Sequence, residues 1–332
     1  MSRRALIAVL AAGATLLVLA LVGVVLATSG SSSDALDIYS ARSHYGEEQP
    51  FEDFAAETGT DLRLRGGDAT ELYERIRAEG DNTPADVLIT VDAANLWRAT
   101  EDGLLEPISS PELDRLVPEE LRDQDGHWYG LALRARTIVR SSERVGADEV
   151  TTYEGLGDPR WRGRLCLRDG TSEYNVSFVA DRLAKDGPEA TERMLRSWMD
   201  NYPEILGSDV DVLDAIADGD CDVGLTNHYY LAREKEEDPD FPVEPVWADQ
   251  QGRGTHVNLS GMGVVAAGDQ KDEARDLIEF LVSPNQQQVF SDNNHEFPVT
   301  EELEFKADPI DVRRAGSRLD DALSLMVEVG WD

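Results

Sequence analysis

Short apolar stretches typical of buried strands alternate with amphipathic helix patterns along most of this 332-residue chain. In the first hundred residues the strand patterns lie at 36–40, 61–65 and 85–90, and the helix patterns lie at 50–58, 68–80 and 93–101. A helix between two strands returns the chain to the same edge of a sheet, so this alternation favours parallel pairing. The sequence therefore predicts an α/β fold with a largely parallel sheet.

Two longer extended segments interrupt this alternation, at 128–140 and 256–266. We interpret them as crossings between two lobes. A second set of strands and helices lies between the crossings, and a final helix is expected at 315–329. The predicted amino-terminal lobe comprises 34–133 and 257–298, and the predicted carboxyl-terminal lobe comprises 134–256 and 299–332. Two lobes joined by two crossings enclose a cleft that can close around a ligand by hinge motion.

The amino terminus has the pattern of an export segment. Arg3 and Arg4 precede an uncharged apolar run from 5 to 27, which ends in a Ser-rich stretch reaching residue 33. A basic start, an apolar middle and a small polar end describe a signal peptide, but this run is also long enough to span a bilayer. We therefore expect residues 1–33 to be a signal peptide or a membrane anchor with a flexible tether. Both alternatives place residues 34–332 outside the cytoplasm.

The net charge of −35 argues against one class of partner. Nucleic-acid phosphates are bound by lysine and arginine, so a chain this acidic is not expected to bind nucleic acid. The acidic residues are spread along the sequence rather than gathered in a tail. They predict a highly solvated acidic surface.

The chain has two cysteines, Cys166 and Cys221. An even number of cysteines in an exported protein indicates a disulfide, although two buried free thiols remain an alternative. Each cysteine lies in a strand pattern, eight residues before Tyr174 or Tyr229. If the two strands are neighbours, a disulfide would fix the two tyrosine loops relative to each other.

Tyrosines follow three of the predicted strands, at Tyr45, at Tyr174 and at the adjacent pair Tyr229 and Tyr230. Ligands in open α/β sheets bind beyond the carboxyl ends of the strands. Phenol oxygens gathered there would suit a hard, highly charged cation, and ferric iron is the obvious candidate. The alternative for the adjacent pair is one core ring and one surface ring, because neighbouring residues of a strand point to opposite faces. Both can reach one metal only if the chain leaves the strand near Asn227, a plausible turn or cap residue.

Several motifs of the chain occur together in one known family. They are Ile38-Tyr39-Ser40 with His44-Tyr45, Pro84-Ala85-Asp86-Val87-Leu88, Arg134-Ala135-Arg136, Ser172-Glu173-Tyr174-Asn175, Thr226-Asn227-His228-Tyr229-Tyr230, Gly252-Arg253-Gly254-Thr255-His256-Val257-Asn258, Ser260-Gly261 and Glu296-Phe297-Pro298-Val299. From about Leu36 onward the sequence resembles the ferric-iron-binding periplasmic proteins, the solute receptors of iron ABC importers. The resemblance implies a two-lobed type II periplasmic-binding-protein fold with two crossing strands as its hinge.

The resemblance also implies a set of iron ligands. Tyr229 and Tyr230 match the core ligands, Tyr174 matches the third tyrosine of the tyrosine-rich branch, and Tyr45 matches the tyrosine of the amino-terminal lobe. His44 stands where some relatives supply an imidazole. The segment before it is one residue longer than is usual in the family, so which of His44 and Tyr45 points inward is left open.

Arg134 and Arg136 match the arginines near the site in the same family. In parts of the family an arginine there holds a carbonate that completes the coordination of iron. The resemblance implies an ABC permease of the cytoplasmic membrane as the partner, and we expect a monomeric receptor. The four other histidines, His127, His228, His256 and His295, are expected to be structural or exposed.

Two rival functions follow from the same residues. The first is a receptor for another small solute on the same scaffold, an organic anion or a polyamine, in which the tyrosines line a stacking pocket. The second is an exported metalloenzyme. The sequence contains no His-Glu-x-x-His and no Gly-x-Ser-x-Gly motif, so a receptor rather than an enzyme is predicted.

Overall fold

The computed structural model describes residues 35–42 and 48–332. The predicted signal peptide or anchor at 1–33 and the candidate ligands His44 and Tyr45 lie outside the described residues. Within the described ranges, no helix combines the length and the apolar character needed to cross a membrane.

The strands of the described residues form one mixed sheet. They are β1 (Leu36–Ser40), β2 (Leu62–Gly66), β3 (Val87–Thr90), β4 (Leu105–Glu106), β5 (Tyr129–Ser141), β6 (Leu165–Arg168), β7 (Glu204–Leu206), β8 (Val223–Asn227), β9 (Val243–Val246), β10 (Thr255–Val265), β11 (Phe297–Pro298) and β12 (Ala307–Pro309). The order across the sheet is β2-β1-β3-β10-β5-β8-β6-β7, and the short strands β4, β9, β11 and β12 pair with β5 or β10.

Parallel pairing dominates away from the centre of the sheet, as the sequence predicts. Strand β1 pairs in parallel with β2 and β3, and β6 pairs in parallel with β7 and β8. The centre differs, because β5 and β10 are antiparallel to each other and to their neighbours β8 and β3. The two segments predicted as crossings are therefore the two long central strands, and each runs against the long strands on its two sides, although β10 also pairs in parallel with the short strand β12.

Strand β5 changes its partner in the middle. Its first part, up to Ala135, pairs with β10, where Asn258 lies opposite Arg134. From Arg136 onward it pairs with β8, where Asn227 lies opposite Arg136. The two predicted site arginines thus lie on either side of the point at which one section of sheet gives way to the other. The predicted lobe boundaries remain a prediction.

Helices connect and cover the strands. They are α1 (Gln49–Thr58), α2 (Ala69–Glu79), α3 (Ala93–Glu101), α4 (Pro111–Leu116), α5 (Glu173–Lys185), α6 (Pro188–Met199), α7 (Asp209–Asp218), α8 (His228–Glu237), α9 (Lys271–Leu281), α10 (Pro284–Asn294), α11 (Val312–Gly316) and α12 (Leu319–Val329). Several start at side chains that cap free backbone N–H groups. Asp68 accepts from the N–H groups of Thr70 and Glu71, and Asp92 accepts from those of Ala94 and Asn95.

The single final helix predicted at 315–329 is wrong in its first part. The chain forms α11 and α12 with a break at Ser317 and Arg318. Gly316 ends α11 where a Cβ atom would lie 2.6 Å from the ring of Trp97. The close approach of α11 to α3 requires this glycine, and glycine is a poor residue for continuing a helix.

Cys166 and Cys221 form the predicted disulfide. Their Cα atoms are 5.8 Å apart, and Cys166 belongs to β6 while Cys221 lies just before β8. Both side chains are buried. The two strands are parallel neighbours, so the disulfide adds a covalent link to a pair that the sheet already holds together.

Candidate metal site

Tyr229 and Tyr230 lie in the first turn of α8, directly after β8. The chain leaves the strand at Asn227, which occupies the N-cap position, so the condition for bringing both rings to one place is met. The ring centres are 4.5 Å apart. Tyr229 is fully buried and Tyr230 is partly buried. The side chain of Asn227 donates to the phenol oxygen of Tyr229 at 3.2 Å rather than capping the helix.

Tyr174 occupies the equivalent position in α5, directly after β6 and its loop. It is 6% exposed. Because β6 and β8 are parallel neighbours, α5 and α8 begin at the same edge of the sheet. The backbone N–H groups at a helix N-terminus attract negative charge, so this edge of the sheet suits the binding of an anion.

Arg42 and Glu48, the described residues on either side of the segment that contains His44 and Tyr45, are held by buried ion pairs. Nη2 of Arg42 lies 2.6 Å from Oε2 of Glu48 and 2.6 Å from Oε2 of Glu296. All three side chains are buried, and Nη1 of Arg42 also donates to Ser260 at 3.1 Å. The described residues on the two sides of 43–47 are therefore ion-paired to each other.

Arg134 and Arg136 both point into the region of the tyrosines. The guanidinium carbon of Arg134 is 5.4 Å from the ring centre of Tyr174, and its nitrogens donate to Ser260 and to the carbonyl of Leu259. Arg136 donates to Asp209 at 2.5 Å and to the side-chain carbonyl of Asn175, the neighbour of Tyr174, at 2.8 Å. The carboxylate that pairs with Arg136 is therefore a buried one.

Two further arginines belong to this region and were not predicted. The guanidinium carbon of Arg168 is 5.5 Å from the ring centre of Tyr174. That of Arg233 is 5.2 Å from the ring centre of Tyr229 and 5.8 Å from that of Tyr230. One signal for Arg233 was available, because residues three and four apart on a helix are neighbours. Arg168 is the last residue of β6. Its position at the end of the strand before the Tyr174 loop was a weaker indication that it lies near the site.

Burial raises the pKa of Tyr230 well above its usual value, and the neighbouring Tyr229 and Asp209 raise it further. The Arg168 guanidinium acts in the opposite direction. The phenol therefore keeps its proton at neutral pH unless a cation displaces it.

Glu173, next to Tyr174, has its pKa raised to about 8 by burial, with Asp92 and Asp68 adding to the shift. Arg134 and Arg168 oppose this shift. Its carboxyl group is therefore mostly neutral near pH 7 and adds little negative charge beside Tyr174.

Two of the four other histidines are buried close to the site, as structural side chains. Burial lowers the pKa of His228 to about 3, and its Nδ1 accepts a hydrogen bond from the backbone N–H of Ala135. His256 lines a small cavity together with Arg134, Arg136 and Tyr174, and its Nδ1 is 3.1 Å from Asp181. Burial lowers the pKa of His256 as well, although Asp181 opposes the shift.

Histidine, cysteine and carboxylate groups do not supply another convincing site in the described part of the chain. The one group there with ligand atoms close enough for a metal is Cys166, Glu204 and Cys221. Its two sulfurs are joined in the disulfide, so they have no thiolate to offer.

Comparisons with known proteins define the class. The chain matches the family described as bacterial extracellular solute-binding protein over residues 82–315. Iron uptake protein A1 of Synechocystis is 40% identical over 323 residues, which cover 92% of this chain and 90% of that protein. The chain belongs to this solute-binding family, a family of transport proteins rather than of enzymes.

Solved structures agree with the fold. One is a Trichodesmium protein, IdiA (FutA), in complex with iron and citrate, with a TM-score of 0.81 and 37% identity. The match covers 90% of this chain and 100% of the Trichodesmium chain. The ferric binding protein from Campylobacter jejuni has a TM-score of 0.82 and 29% identity, with coverage of 90% and 100%. The mixed α/β fold is that of the type II periplasmic binding proteins, as the resemblance implied.

Proposed function

We propose that this protein is an extracytoplasmic receptor that binds ferric iron through the phenolate oxygens of Tyr174, Tyr229 and Tyr230, with Tyr45 as a fourth ligand. The observation that carries the proposal is that three buried or partly buried tyrosines lie at the N-termini of helices that follow two neighbouring parallel strands, with Arg168 interacting electrostatically with both Tyr174 and Tyr230. Phenol oxygens are hard donors, which suit a hard trivalent cation. The names of the relatives, an iron uptake protein and a ferric binding protein, support the same ligand.

The charges of the site fit this ligand. Four phenolates exceed the charge of one ferric ion by one, and four guanidinium groups lie near the three described tyrosines, those of Arg134, Arg136, Arg168 and Arg233, where they balance negative charge. Asp209 pairs with two of them, Arg136 and Arg168. Guanidinium groups also bind carbonate and carboxylate oxygens through paired hydrogen bonds. We propose carbonate held by Arg134 and Arg136, or a carboxylate such as the citrate that accompanies iron in the Trichodesmium structure.

The proposed receptor closes around its ligand. The lobes would be residues 34–133 with 257–298, and 134–256 with 299–332, and closure would bring Tyr45 of the first to the three tyrosines of the second. His44 would be a further ligand or a hydrogen-bonding neighbour. Closure would remove water from the ferric ion and so protect it from hydrolysis.

We further propose that the receptor delivers iron to an ABC permease in the cytoplasmic membrane, acting as a monomer at the cell surface or in the periplasm. Membership in the solute-binding family and the export pattern at 1–33 support this location.

A receptor for an organic anion alone is the second candidate function. The arginines around Tyr174 favour it over a polyamine receptor, because a polyamine would be repelled by them. In such a receptor the tyrosines would serve as packing surfaces and would keep their protons.

A ferric titration followed by visible absorption tests the proposal. Ferric citrate is added to purified residues 34–332, and we expect a phenolate-to-iron charge-transfer band that saturates at one iron per chain. Tyr229→Phe and Tyr230→Phe should each weaken or abolish the band, since each removes one donor oxygen. Tyr202→Phe is the matched control, because Tyr202 is 66% exposed and lies outside the site.

A colourless protein that binds citrate without iron would contradict ferric binding and support the organic-anion receptor. A band that survives in both site variants would show that iron binds elsewhere. Carbonate is tested by repeating the titration in buffer freed of carbon dioxide.

A further inference from the structure

Trp331 follows α12 and is buried, although nothing in the sequence marks it as part of a site. Its side chain is 1% exposed. Its backbone N–H donates to the carbonyl of Met326 at 2.8 Å, and its ring packs edge-to-face against Trp198 with ring centres 5.8 Å apart. The indole is therefore held in one position by the end of α12 and by α6.

The indole N–H of Trp331 points at the strand that leads to Tyr174. It donates to the backbone carbonyl of Arg168 at 2.9 Å. The same carbonyl accepts from the side-chain amide of Asn175 at 3.2 Å. Arg168 is the last residue of β6, so this carbonyl marks the point at which the chain leaves the sheet to form the Tyr174 loop, residues 169–172.

The Tyr174 loop also crosses directly over the backbone of Trp331. A Cβ atom on Gly170 would lie 2.0 Å from the carbonyl oxygen of Trp331. Such a distance is impossible for any side chain, so the loop approaches this closely only because residue 170 is glycine. Trp331 thus contacts the loop at two points, through its indole N–H and through its main chain.

These contacts bear on the charges of the site as well as on its backbone. Arg168 directs its guanidinium over the ring of Tyr174 and pairs with Asp209 at 3.3 Å. We propose that Trp331 is a positioning residue for Tyr174. Trp331 fixes the Tyr174 loop and Arg168, which both precede Tyr174 in the chain. This inference rests on the proposed iron site, because Tyr174 matters for binding only if its oxygen is a ligand.

The test compares Trp331→Phe with Trp161→Phe in the 34–332 protein. Phenylalanine keeps a buried ring and removes the indole N–H. Trp161 is a matched control, since it is also 1% exposed and its indole N–H donates to a backbone carbonyl, that of Gly155, at 3.0 Å. We expect Trp331→Phe to lower the ferric affinity about tenfold in competition with citrate, as is usual when a group that orients a metal ligand is removed. The charge-transfer band should shift, while Trp161→Phe leaves both unchanged.

A double-mutant cycle separates positioning from general destabilisation. In a Tyr174→Phe background the Trp331 change should have no further effect on affinity, because the ligand that it positions is gone. Equal effects in the two backgrounds, or equal effects of the two tryptophan variants, would overturn the proposal.

Amide hydrogen exchange of the iron-free protein tests whether Trp331 holds the Tyr174 loop, even if ferric iron does not bind. Amides of residues 169–175 should exchange faster in Trp331→Phe than in Trp161→Phe. A wild-type protein without a charge-transfer band would refute the iron site, and the exchange comparison would still decide whether Trp331 holds the loop. Unchanged exchange in that loop would refute the positioning role.

Discussion

Asp209 is the residue on which two site arginines converge. Its Oδ1 is 2.5 Å from Nη1 of Arg136, and its Oδ2 is 3.3 Å from Nη1 of Arg168. The carboxylate is fully buried at the start of α7, where it also benefits from the helix N-terminus. One carboxylate thus fixes the directions of guanidinium groups that come from two different strands.

Asp209→Asn should therefore be strongly destabilising. It keeps the shape of the side chain and removes the charge, which leaves the buried guanidinium group of Arg136 without its anion, at a cost of about 3–5 kcal/mol in the free energy of unfolding. Asp320→Asn is the control, because Asp320 pairs with Arg98 but its side chain is 88% exposed. Its effect should stay below about 1 kcal/mol. Urea unfolding of both variants checks this, and similar losses would contradict the bridging role of Asp209.

The positions of the tyrosines at strand ends could be predicted from the sequence. The positions of the arginines around them could be predicted only in part. Tyr174, Tyr229 and Tyr230 each follow an apolar strand pattern, and strand ends are local features of a sequence. Arg168 is separated from Asp209 by 41 positions, and only the packing of β6 against α7 brings them together. Such a contact leaves no periodic signal. His44 and Tyr45 remain predictions from the resemblance.

At the scale of elements, β6 and β8 carry the two helices that present the tyrosines. They are held by a parallel ladder in which Leu165 lies opposite Val223 and Leu167 lies opposite Leu225. The disulfide between Cys166 and Cys221 joins the same two segments covalently. The ladder sets the relative position of the strands, whereas the disulfide chiefly restricts the unfolded chain.

Replacing both cysteines by serine should therefore lower stability more than affinity. The chain-entropy model for a loop of 55 residues gives a loss of about 4 kcal/mol in the free energy of unfolding. Ferric affinity at a temperature where the variant is folded should change less than about threefold, because the ladder persists. Unfolding of the wild type with and without a reductant is the control. A large loss of affinity in the folded variant would show that the disulfide itself sets the geometry of the site.

The sequence was least informative where elements meet. The antiparallel pairing of β5 with β10 depends on which strands become neighbours, and an extended pattern alone does not indicate strand direction. The break between α11 and α12 depends on the contact of Gly316 with Trp97, about 220 positions earlier. The amphipathic pattern at 315–329 continues through the break, so it indicated one helix.

At the scale of the whole molecule, ligand binding should be linked to protons. The pKa of Tyr230 is raised mainly by burial, so its phenol carries a proton at neutral pH that iron must displace. Protons compete with the metal, and ferric affinity must therefore fall as pH falls, by about tenfold per pH unit for each proton displaced. Measuring proton release in an unbuffered titration should give about four protons per iron, one for each of the four proposed tyrosine ligands, after correction for the iron source.

Tyr230→Phe should release about one proton fewer per iron, while Tyr202→Phe should release the same number as the wild type. Binding without proton release would mean that the phenols stay neutral, as expected of an organic-anion receptor.

Strand β5 belongs to two sections of the sheet, and its change of partner falls between Ala135 and Arg136. One part of β5 is held by its pairing with β10 and the other part by its pairing with β8. A rotation of one sheet section against the other would twist the backbone of β5 between Arg134 and Arg136. Such a twist would change the angle between the guanidinium groups of Arg134 and Arg136. It would thereby change the electric field at the phenol oxygens. The change of partner in β5 and the directions of two candidate-site side chains in this way depend on the same three residues, Arg134, Ala135 and Arg136.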